Sequence, residues 1–218
     1  VIHDAAVNGL AVDLAAAVAA TGIRVDRKSV PSGEPSKSIQ QFEALLDWML
    51  ECGTDRRSVV IAVGGGVIGD LAGYAAASFA RGIRFVQVPT TLLAMVDSSV
   101  GGKTGINLRG AKNMVGAFWQ PHLVWIDTGT LGTLPDRSYR SGLAEVIKYG
   151  VIDDADFFDE LSANAAALVD REPAALQHAI QKSCECKARV VGEDDRETGG
   201  RRAILNYGHT LAHAIEAT

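Results

Sequence analysis

The sequence predicts an α/β N-terminal domain with a parallel, Rossmann-like sheet, followed by a mainly α-helical C-terminal domain. In the first part of the chain, short β-branched runs alternate with Ala-rich segments of helical periodicity, and this alternation is typical of a parallel sheet. After Pro135 the helical segments follow one another directly. We therefore place a domain boundary near Leu134, with one domain at residues 1–134 and the other at residues 135–218.

The individual elements follow from periodicity and from residues that end helices. Residues 10–20 are Ala-rich and periodic and stop before Gly22, as a helix does. Residues 39–51 place Phe42, Leu45 and Met49 on one helical face. The other predicted elements of the first domain are strands at 23–30, 58–63, 85–88 and 123–126 and a helix at 69–80. In the second domain we predict helices at 140–149, 155–169, 173–191 and 209–217, and a weak strand at 203–205.

The composition excludes several classes of protein. With 47% hydrophobic residues, 22% charged residues and a net charge of -5, the chain resembles a soluble globular protein. The negative charge argues against nucleic-acid binding, although a few focused Lys and Arg residues can still bind an anionic small molecule. No apolar stretch reaches the ~20 residues of a membrane span. No targeting segment is visible, and the three cysteines suggest no disulfide framework, so we expect a cytoplasmic protein with reduced thiols.

A glycine-rich turn between a predicted strand and a predicted helix is the first candidate site. Gly64, Gly65 and Gly66 follow the strand at once, and Gly69 lies in the helix start. Glycines let a backbone approach a ligand closely, and free N–H groups at a helix start favour an anion such as pyrophosphate. The spacing is neither G-x-G-x-x-G nor a P-loop. We predict a dinucleotide or phosphate ligand, with a purely structural turn as the alternative.

A second candidate is the small, polar stretch 97–107 with Lys112-Asn113 just after it. A loop of this kind can wrap a polyhydroxylated anion and anchor phosphate or carboxylate with lysine ammonium groups. The alternative is a solvated surface loop.

Metal ligands are suggested by helical spacing. His209 and His213 lie four apart on a predicted helix, which puts both imidazoles on one face. Glu145 and Lys148 share a face of another predicted helix. The alternatives are histidines that only pack or cap, and a surface ion pair.

Several segments together resemble the 3-dehydroquinate synthases of the sugar phosphate cyclase superfamily. They occur in family order across most of the chain, and their combination is specific where each alone is not. The matching segments are residues 64–73 (GGGVIGDLAG), 88–94 (VPTTLLA), 97–107 (DSSVGGKTGIN), 112–113 (KN), 141–150 (SGLAEVIKYG) and 205–210 (LNYGHT).

The resemblance implies roles for individual residues. Glu145 and His209 match two metal ligands. His213 matches a catalytic or phosphate-contacting histidine, whereas its spacing from His209 suggested a metal ligand. Other catalytic or substrate-binding positions are matched by Lys103, Lys148, Asn113, Asp97, Lys187, Arg202 and Asn206. Arg81 matches an arginine near the substrate phosphate, which a dimer interface would bring to the site. NAD contacts are matched by Glu34, Lys37, Gly65, Gly66, Asp70, Thr90, Thr91 and Thr133. Lys112 matches a residue that lies between NAD and the substrate. Asp4 matches the start of an Asp-x-Asn-Val pattern whose Asn is Ala6 here.

The implied activity is conversion of 3-deoxy-D-arabino-heptulosonate 7-phosphate to 3-dehydroquinate and phosphate, a step of the shikimate pathway. NAD would oxidise a carbinol transiently while zinc or cobalt polarises it; phosphate elimination, re-reduction and an aldol closure would follow. The resemblance also implies a homodimer. From the net charge and the lengths of the apolar stretches we expect no nucleic-acid or membrane partner. Alternatives are an NAD- and metal-dependent polyol dehydrogenase of related fold, another sugar phosphate cyclase, or a non-catalytic nucleotide-binding remnant.

The ends of the chain bear on activity. The family's third metal ligand is a histidine in a His-Gly-Glu stretch that would follow Thr218, and a catalytic zinc site usually has three protein ligands. We therefore expect a fragment that lacks both termini and, in the second domain, is truncated. By itself it would be inactive and poor in metal.

Overall fold

A computed structural model describes residues 1–109, 111–194 and 200–208, without the side chain of Arg201. Its strands are β1 (Ile2–Asp4), β2 (Lys28–Val30), β3 (Val59–Gly64), β4 (Arg84–Pro89), β5 (Lys103–Leu108), β6 (Ala111–Phe118) and β7 (Leu123–Val124). Its α-helices are α1 (Asn8–Ala19), α2 (Ile39–Glu51), α3 (Gly66–Ser78), α4 (Asp136–Asp153), α5 (Ala155–Ala163), α6 (Ala165–Val169) and α7 (Pro173–Glu193). A π-helical turn spans Ala94–Ser98, and 3-10 turns include Glu34–Ser36, Phe79–Arg81, Thr128–Thr133 and Arg201–Asn206.

The main sheet is parallel, as predicted. Its five strands lie in the order β2-β1-β3-β4-β7, and every pair is parallel, with Ile2 opposite Ala62 and Val60 opposite Phe85. The alternation of short strands with helices therefore indicated the correct fold class: an α/β part with a parallel sheet, followed by helices. The strand predicted at 23–30 is shorter than expected, Lys28–Val30, and β1 was not predicted.

An antiparallel hairpin, β5–β6, stands where we predicted a loop. Its strands pair with Thr104 opposite Ala117 and Gly105 opposite Gly116. A Cβ on Gly116 would lie only 2.0 Å from the Thr104 carbonyl oxygen, so the small residues that suggested a loop allow two backbones to approach closely. The loop prediction was wrong for this reason.

Helix α3 lies between the sheet and the hairpin. A Cβ on Gly73 would approach Thr104 Cγ2 to 2.5 Å and Phe85 Cε1 to 3.0 Å. Ile106 of the hairpin and Leu71 of α3 belong to the same buried apolar cluster as the sheet. This packing holds the hairpin against α3.

The later helices form a second apolar cluster around the π-helical turn. Met95 and Val96 of that turn pack with Tyr149 of α4 and Ile180 of α7. The domain boundary near Leu134 stays a prediction, since nothing in the structure tests it.

Helix boundaries in the second part differ from the predictions in local detail. The predicted helix 155–169 is two helices, because the Asn164 side chain donates to the Glu160 carbonyl (2.8 Å) and ends the first. The weak strand at 203–205 was wrong, since these residues lie in a 3-10 turn. The predicted helix 209–217 lies outside the described residues. No helix in the part of the chain that the structure describes is both long and apolar enough to cross a bilayer.

Candidate active site

The glycine turn lies at the point where the strand order of the sheet reverses. Strand β1 has β2 on one side and β3 on the other, so the chain segments that leave β1 and β3 diverge and open a crevice. Asp4 ends β1 and Gly64 ends β3, which brings both to the carboxyl edge of the sheet. Crevices at this position are the usual ligand sites of open parallel sheets.

Two glycines of the turn are in close contact with a neighbouring segment. A Cβ on Gly65 would lie 3.1 Å from Thr91 Cγ2, and a Cβ on Gly66 would lie 2.9 Å from Ser98 Oγ. The Thr90 N–H donates to the Gly64 carbonyl at 2.9 Å, which fixes the segment after β4 beside the turn. Helix α3 begins at Gly66, so the N–H groups of its first turn point toward the crevice and suit an anion.

Beside this turn lies a cavity of about 630 Å³. Of the predicted catalytic or substrate-binding residues that the structure describes, it brings together all except Arg81. The lining residues are Asp70, Asp97, Ser98, Val100, Lys103, Thr104, Gly105, Asn113, Met114, Gly116, Ala117, Phe118, Lys148, Lys187, Arg202, Leu205 and Asn206. Four of these side chains are cationic and two are anionic, so the cavity concentrates positive charge within an acidic chain and suits an anionic ligand.

Asp97 is held by residues from two later helices. The Lys187 ammonium donates to Asp97 Oδ1 at 2.6 Å, and the Tyr149 hydroxyl lies 3.2 Å from the same oxygen. Burial alone would raise the pKa of the Asp97 carboxyl, but the cations Lys187 and Lys148 and the Tyr149 hydrogen bond outweigh it and hold that pKa below its ordinary value. Asp97 is therefore a fixed carboxylate in the cavity wall.

Glu145 and Lys148 form an ion pair on one face of α4, as their spacing predicted. The side chains are only 11% and 8% exposed, so the alternative of a surface pair is wrong. The Lys148 ammonium also donates to the Leu205 carbonyl at 2.7 Å. Burial and the charge of Asp97 raise the pKa of Glu145 above its ordinary value, against the opposing effect of Lys148. A further cation nearby would stabilise the ionised form of this carboxylate.

A polar network joins the turn before α2 to the cavity. Lys37 donates to Asp70 Oδ2 at 2.6 Å and to Asn113 Oδ1. The Asn107 amide donates to Glu34 Oε1 at 2.8 Å. Burial raises the pKa of Asp70 although Lys37 counteracts it.

Several predicted site residues lie away from the cavity. Arg81 follows the far end of α3, about 20 Å from the glycine turn at the helical rise per residue, and is exposed with φ +68°. Lys112 and Thr133 are exposed on β6 and on a 3-10 turn. Asp4 caps the turn after β1 and accepts from Ser32. The roles of these residues stay predictions.

The predicted metal ligands are described only in part. Glu145 is described, whereas His209, and with it His213, lies outside the described residues. Within residues 1–109, 111–194 and 200–208, no group of three or more His, Cys, Asp or Glu side chains could hold a metal ion.

Sequence reasoning missed three residues that shape the site. Tyr149 supports Asp97, Asn107 supports the hairpin, and Gly101, with φ +109°, leaves room for Arg202. A Cβ on Gly101 would lie 2.7 Å from Arg202 Nη2. The only signal in the sequence was their place inside the unusual motifs, because each contact joins distant segments.

Comparison with known proteins gives the same family that the motifs suggested. Residues 27–141 match the family model of the 3-dehydroquinate synthase N-terminal region, and residues 142–218 match that of the C-terminal region. The chain belongs to the 3-dehydroquinate synthase family. It is 68% identical to the 3-dehydroquinate synthase of Rhodopirellula baltica, over 100% of this chain and 58% of that protein. The chain therefore spans a little over half the length of this synthase.

Solved structures of related cyclases share the fold. The 2-epi-5-epi-valiolone synthase ValA from Streptomyces hygroscopicus subsp. jinggangensis, with NAD+ and Zn2+ bound, is 33% identical with a TM-score of 0.89, over 95% of this chain and 59% of that chain. A 2-deoxy-scyllo-inosose synthase complexed with carbaglucose-6-phosphate, NAD+ and Co2+ is 33% identical with a TM-score of 0.89, over 99% of this chain and 59% of that chain.

Proposed function

We propose that this chain forms the NAD- and substrate-binding part of a 3-dehydroquinate synthase, a carbon–oxygen lyase. The reaction converts 3-deoxy-D-arabino-heptulosonate 7-phosphate to 3-dehydroquinate and phosphate by transient oxidation, phosphate elimination, re-reduction and intramolecular aldol closure. One observation carries the proposal: a cavity with four cationic side chains adjoins an open glycine turn at the switch point of a parallel sheet. The chain's 68% identity to a 3-dehydroquinate synthase supports this substrate over those of other cyclases.

The glycine turn suits NAD. Thr91 would crowd a side chain at position 65, and Ser98 would crowd one at position 66. The start of α3 offers N–H groups to a pyrophosphate. Bound NAD would accept a hydride from one carbinol and return it. From the matching motifs we assign further cofactor contacts to Asp4, Glu34, Lys37, Asp70, Thr90, Thr91, Lys112 and Thr133.

A divalent ion, zinc or cobalt, would be held by Glu145 and His209, the second of which lies outside the described residues. Glu145 fits this role because its carboxylate is mostly buried and its pKa is raised. The ion would act as a Lewis acid on a substrate hydroxyl.

Different cavity residues would bind different groups of an acidic sugar phosphate. We assign Lys103, Lys148 and Arg202 to the substrate carboxylate and phosphate. Asn113 and Asn206 would bond its hydroxyl groups. Lys187 and Tyr149 both bond Asp97 Oδ1, which leaves Oδ2 to accept from a substrate hydroxyl. Their common effect is to orient the reacting carbon.

Three further points belong to the proposal. Arg81, exposed at the far end of α3, would serve the site of a second subunit in a homodimer. The protein would act in the cytoplasm. Since the chain spans 58% of the Rhodopirellula baltica synthase, we expect the 218 residues to bind metal weakly and to lack turnover by themselves.

The test is a phosphate-release assay with the heptulosonate phosphate, NAD and zinc. It compares the 218-residue chain with a version extended to the length of the relatives. We expect the extended protein to release phosphate without accumulating NADH, since the hydride is returned in each cycle. Lys103→Met should abolish release, whereas Lys182→Met on α7, away from the cavity lining, should not.

Three outcomes would contradict the proposal. A folded, extended protein that binds NAD but releases no phosphate would refute the synthase activity. Accumulation of NADH from a polyol without phosphate release would indicate a dehydrogenase. Turnover of a different sugar phosphate alone would indicate another cyclase.

A further inference from the structure

One arginine joins the loop between α6 and α7 to the segment that connects the sheet with α4. The Arg171 guanidinium donates through Nη1 to the Leu131 carbonyl at 2.7 Å and to the Gly132 carbonyl at 3.4 Å. Its Nη2 donates to Asp136 Oδ1 at 2.6 Å. The guanidinium carbon lies 4.5 Å from the centroid of the Tyr139 ring. Two carbonyls, a carboxylate and an aromatic ring of one segment thus surround a single cation.

The backbone of Arg171 is held in an uncommon conformation. Its φ is +59°, a left-handed value that few residues other than glycine adopt. The Arg171 N–H donates to the Leu168 carbonyl at 3.1 Å, and the Tyr139 hydroxyl donates to the same carbonyl at 2.5 Å. The Arg171 side chain is only 20% exposed. A conformation of this kind persists where the surroundings fix it, so the direction of the side chain is set before any ligand binds.

The carbonyls that Arg171 holds belong to the 3-10 turn Thr128–Thr133. This turn follows β7, which is parallel to β4, and the Trp125 N–H donates to the Gln87 carbonyl at 2.8 Å. The chain therefore leaves β7 at the carboxyl edge of the sheet, the edge at which the glycine turn ends β3. Thr133, the last residue of the turn, is among the cofactor contacts of the proposed function.

We propose that Arg171 is a positioning residue for NAD, which acts by holding the Leu131 and Gly132 carbonyls so that the turn keeps Thr133 in place for the cofactor. This inference rests on the proposed function for the contact between Thr133 and NAD. Arg171 lies in none of the segments that resemble the family, so the sequence gave no sign of this role.

The same guanidinium fixes the turn relative to α4. Asp136 is the first residue of that helix, and α4 also carries Glu145 and Lys148. A guanidinium has a rigid fork of donors, so its contacts with two carbonyls and one carboxylate set the distance between the turn and the helix. Arg171 thereby relates the side of the site assigned to NAD to the side assigned to the metal and substrate.

The experiment compares NAD affinity among variants of the extended protein, measured by calorimetry. Arg171→Met removes the guanidinium. Arg189→Met is the matched control, because Arg189 donates to Asp153 at the other end of α4. Tyr139→Phe is a second control, because it removes a hydrogen bond beside Arg171 but keeps the ring and the guanidinium contacts.

Loss of charged hydrogen bonds to the turn predicts that Arg171→Met raises the Kd for NAD by about 10-fold. Each control should change this Kd by less than about 2-fold, since neither residue contacts the turn. A folded Arg171→Met variant with the Kd of the unmodified protein would overturn the inference. Equal losses of NAD affinity in the controls would also overturn it, because they would show a general effect of lower stability.

Arg171→Lys separates the geometry of the side chain from its charge, and serves if Arg171→Met does not fold. An ammonium keeps the charge but lacks the fork that spans the carbonyls and Asp136, so the Kd for NAD should still rise by about 3-fold or more. Unchanged NAD affinity in Arg171→Lys would show that the charge alone matters, which would refute the positioning role.

A second readout needs no ligand. The Leu134 N–H donates to the Leu131 carbonyl at 3.1 Å, the carbonyl that Arg171 also holds. Hydrogen exchange of this amide should be faster by about 10-fold or more in Arg171→Met, and unchanged in Arg189→Met. Unchanged exchange in a folded Arg171→Met variant would refute the support of the turn.

Failure of the proposed function can be told apart from failure of this inference. If the unmodified protein binds NAD but releases no phosphate, the proposed reaction fails while the NAD affinities still decide the role of Arg171. An unmodified extended protein that binds no NAD would overturn both.

Discussion

The Lys187 ammonium donates to two atoms of Asp97, the backbone carbonyl oxygen at 2.5 Å and the carboxylate oxygen Oδ1 at 2.6 Å. The two residues come from α7 and from the π-helical turn after β4. One side chain thus fixes both the backbone and the carboxylate of Asp97, and ties the helical part of the chain to the sheet part at the cavity wall.

Lys187→Met should destabilise the fold and damage the site together. We expect a loss of about 2 to 3 kcal/mol in the free energy of unfolding, at or below the lower end for buried pairs because the Asp97 side chain is 34% exposed. In the extended protein, turnover should fall by about 100-fold or more, since Asp97 loses its orientation. Urea unfolding and phosphate release measure the two effects.

The matched control is Lys182→Met, which makes the same change one and a half turns earlier on α7. It should alter the free energy of unfolding by less than about 0.5 kcal/mol. Equal losses of unfolding free energy in the two variants would show that the Asp97 contact does not stabilise the fold.

The stability that this pair contributes depends on pH. The folded-state pKa of Asp97 is depressed, so the contribution is present above the unfolded pKa of 3.8 and is lost as the pH falls through the lower folded pKa.

Tyr149→Phe and Tyr139→Phe distinguish support of the site from support of the fold. Both residues are on α4 and both are buried. The Tyr149 hydroxyl lies 3.2 Å from Asp97 Oδ1 and 3.1 Å from the Val96 carbonyl, while the Tyr139 hydroxyl donates to the Leu168 carbonyl at 2.5 Å. Each change should cost about 1 kcal/mol of unfolding free energy. In the extended protein, only Tyr149→Phe should reduce kcat/KM, by about 10-fold. Similar kinetics for the two variants would argue against a supporting role for Tyr149.

Gly65→Ala tests the close approach of the turn to a nucleotide. The added Cβ would press on Cγ2 of Thr91, itself an assigned NAD contact, at 3.1 Å. We expect NAD affinity to fall by at least about 10-fold, with less than about 2 kcal/mol lost from the unfolding free energy. Calorimetry with NAD and urea unfolding are the measurements.

Gly9→Ala in α1 is the control for the loss of a glycine. Nothing lies within 4 Å of its Cβ position, so the change should stabilise the fold by up to about 1 kcal/mol and leave NAD binding unchanged. A Gly65→Ala variant that binds NAD as tightly as Gly9→Ala does would contradict the assignment of the turn.

The two cysteines of α7 should be slow to react at ordinary pH. Burial raises the pKa of Cys184 and of Cys186 from 9.0 to about 11. At pH 8 their thiolate fractions, and hence their rates with a disulfide reagent, should be about 100-fold below those of unperturbed thiols. Because both folded pKa values are raised, their stabilising effect is present below pH 9 and is lost as the pH rises through about 11.

The measurement is the time course of thiol release in folded protein and in urea. A Cys52→Ser variant identifies the half-buried third cysteine, which should account for the faster phase. Rapid reaction of all three thiols in folded protein would show that α7 is not packed as described.

Local patterns predicted the elements that local physics specifies. Helix α2 spans Ile39–Glu51 as expected, because its apolar face has helical period and Ser38 caps its first turn through the Gln41 N–H. Strand β3 and the glycine turn after it were also predicted, since a β-branched run and consecutive glycines each restrict the backbone directly. The alternation of such segments then indicated a parallel sheet.

These local patterns did not predict the hairpin or the short strand β1. Ile2–Asp4 is a strand because it inserts between β2 and β3, and three residues carry too little periodicity to predict this. Strand β5 begins within the small, polar stretch 97–107 that is typical of a loop. It pairs with β6 because the two backbones can approach closely at Gly105 and Gly116, beside α3.

The motifs identified the residues of the cavity, and the packing of distant elements decided how they meet. Asp97 and Lys187 are 90 positions apart, and Lys37 and Asn113 are 76 apart. No pattern within a window of one helix or strand can relate such residues, because their contacts arise only when separate elements bury a shared apolar surface. Residue types were thus readable along the chain, whereas partners, burial and shifted pKa values required the folded arrangement.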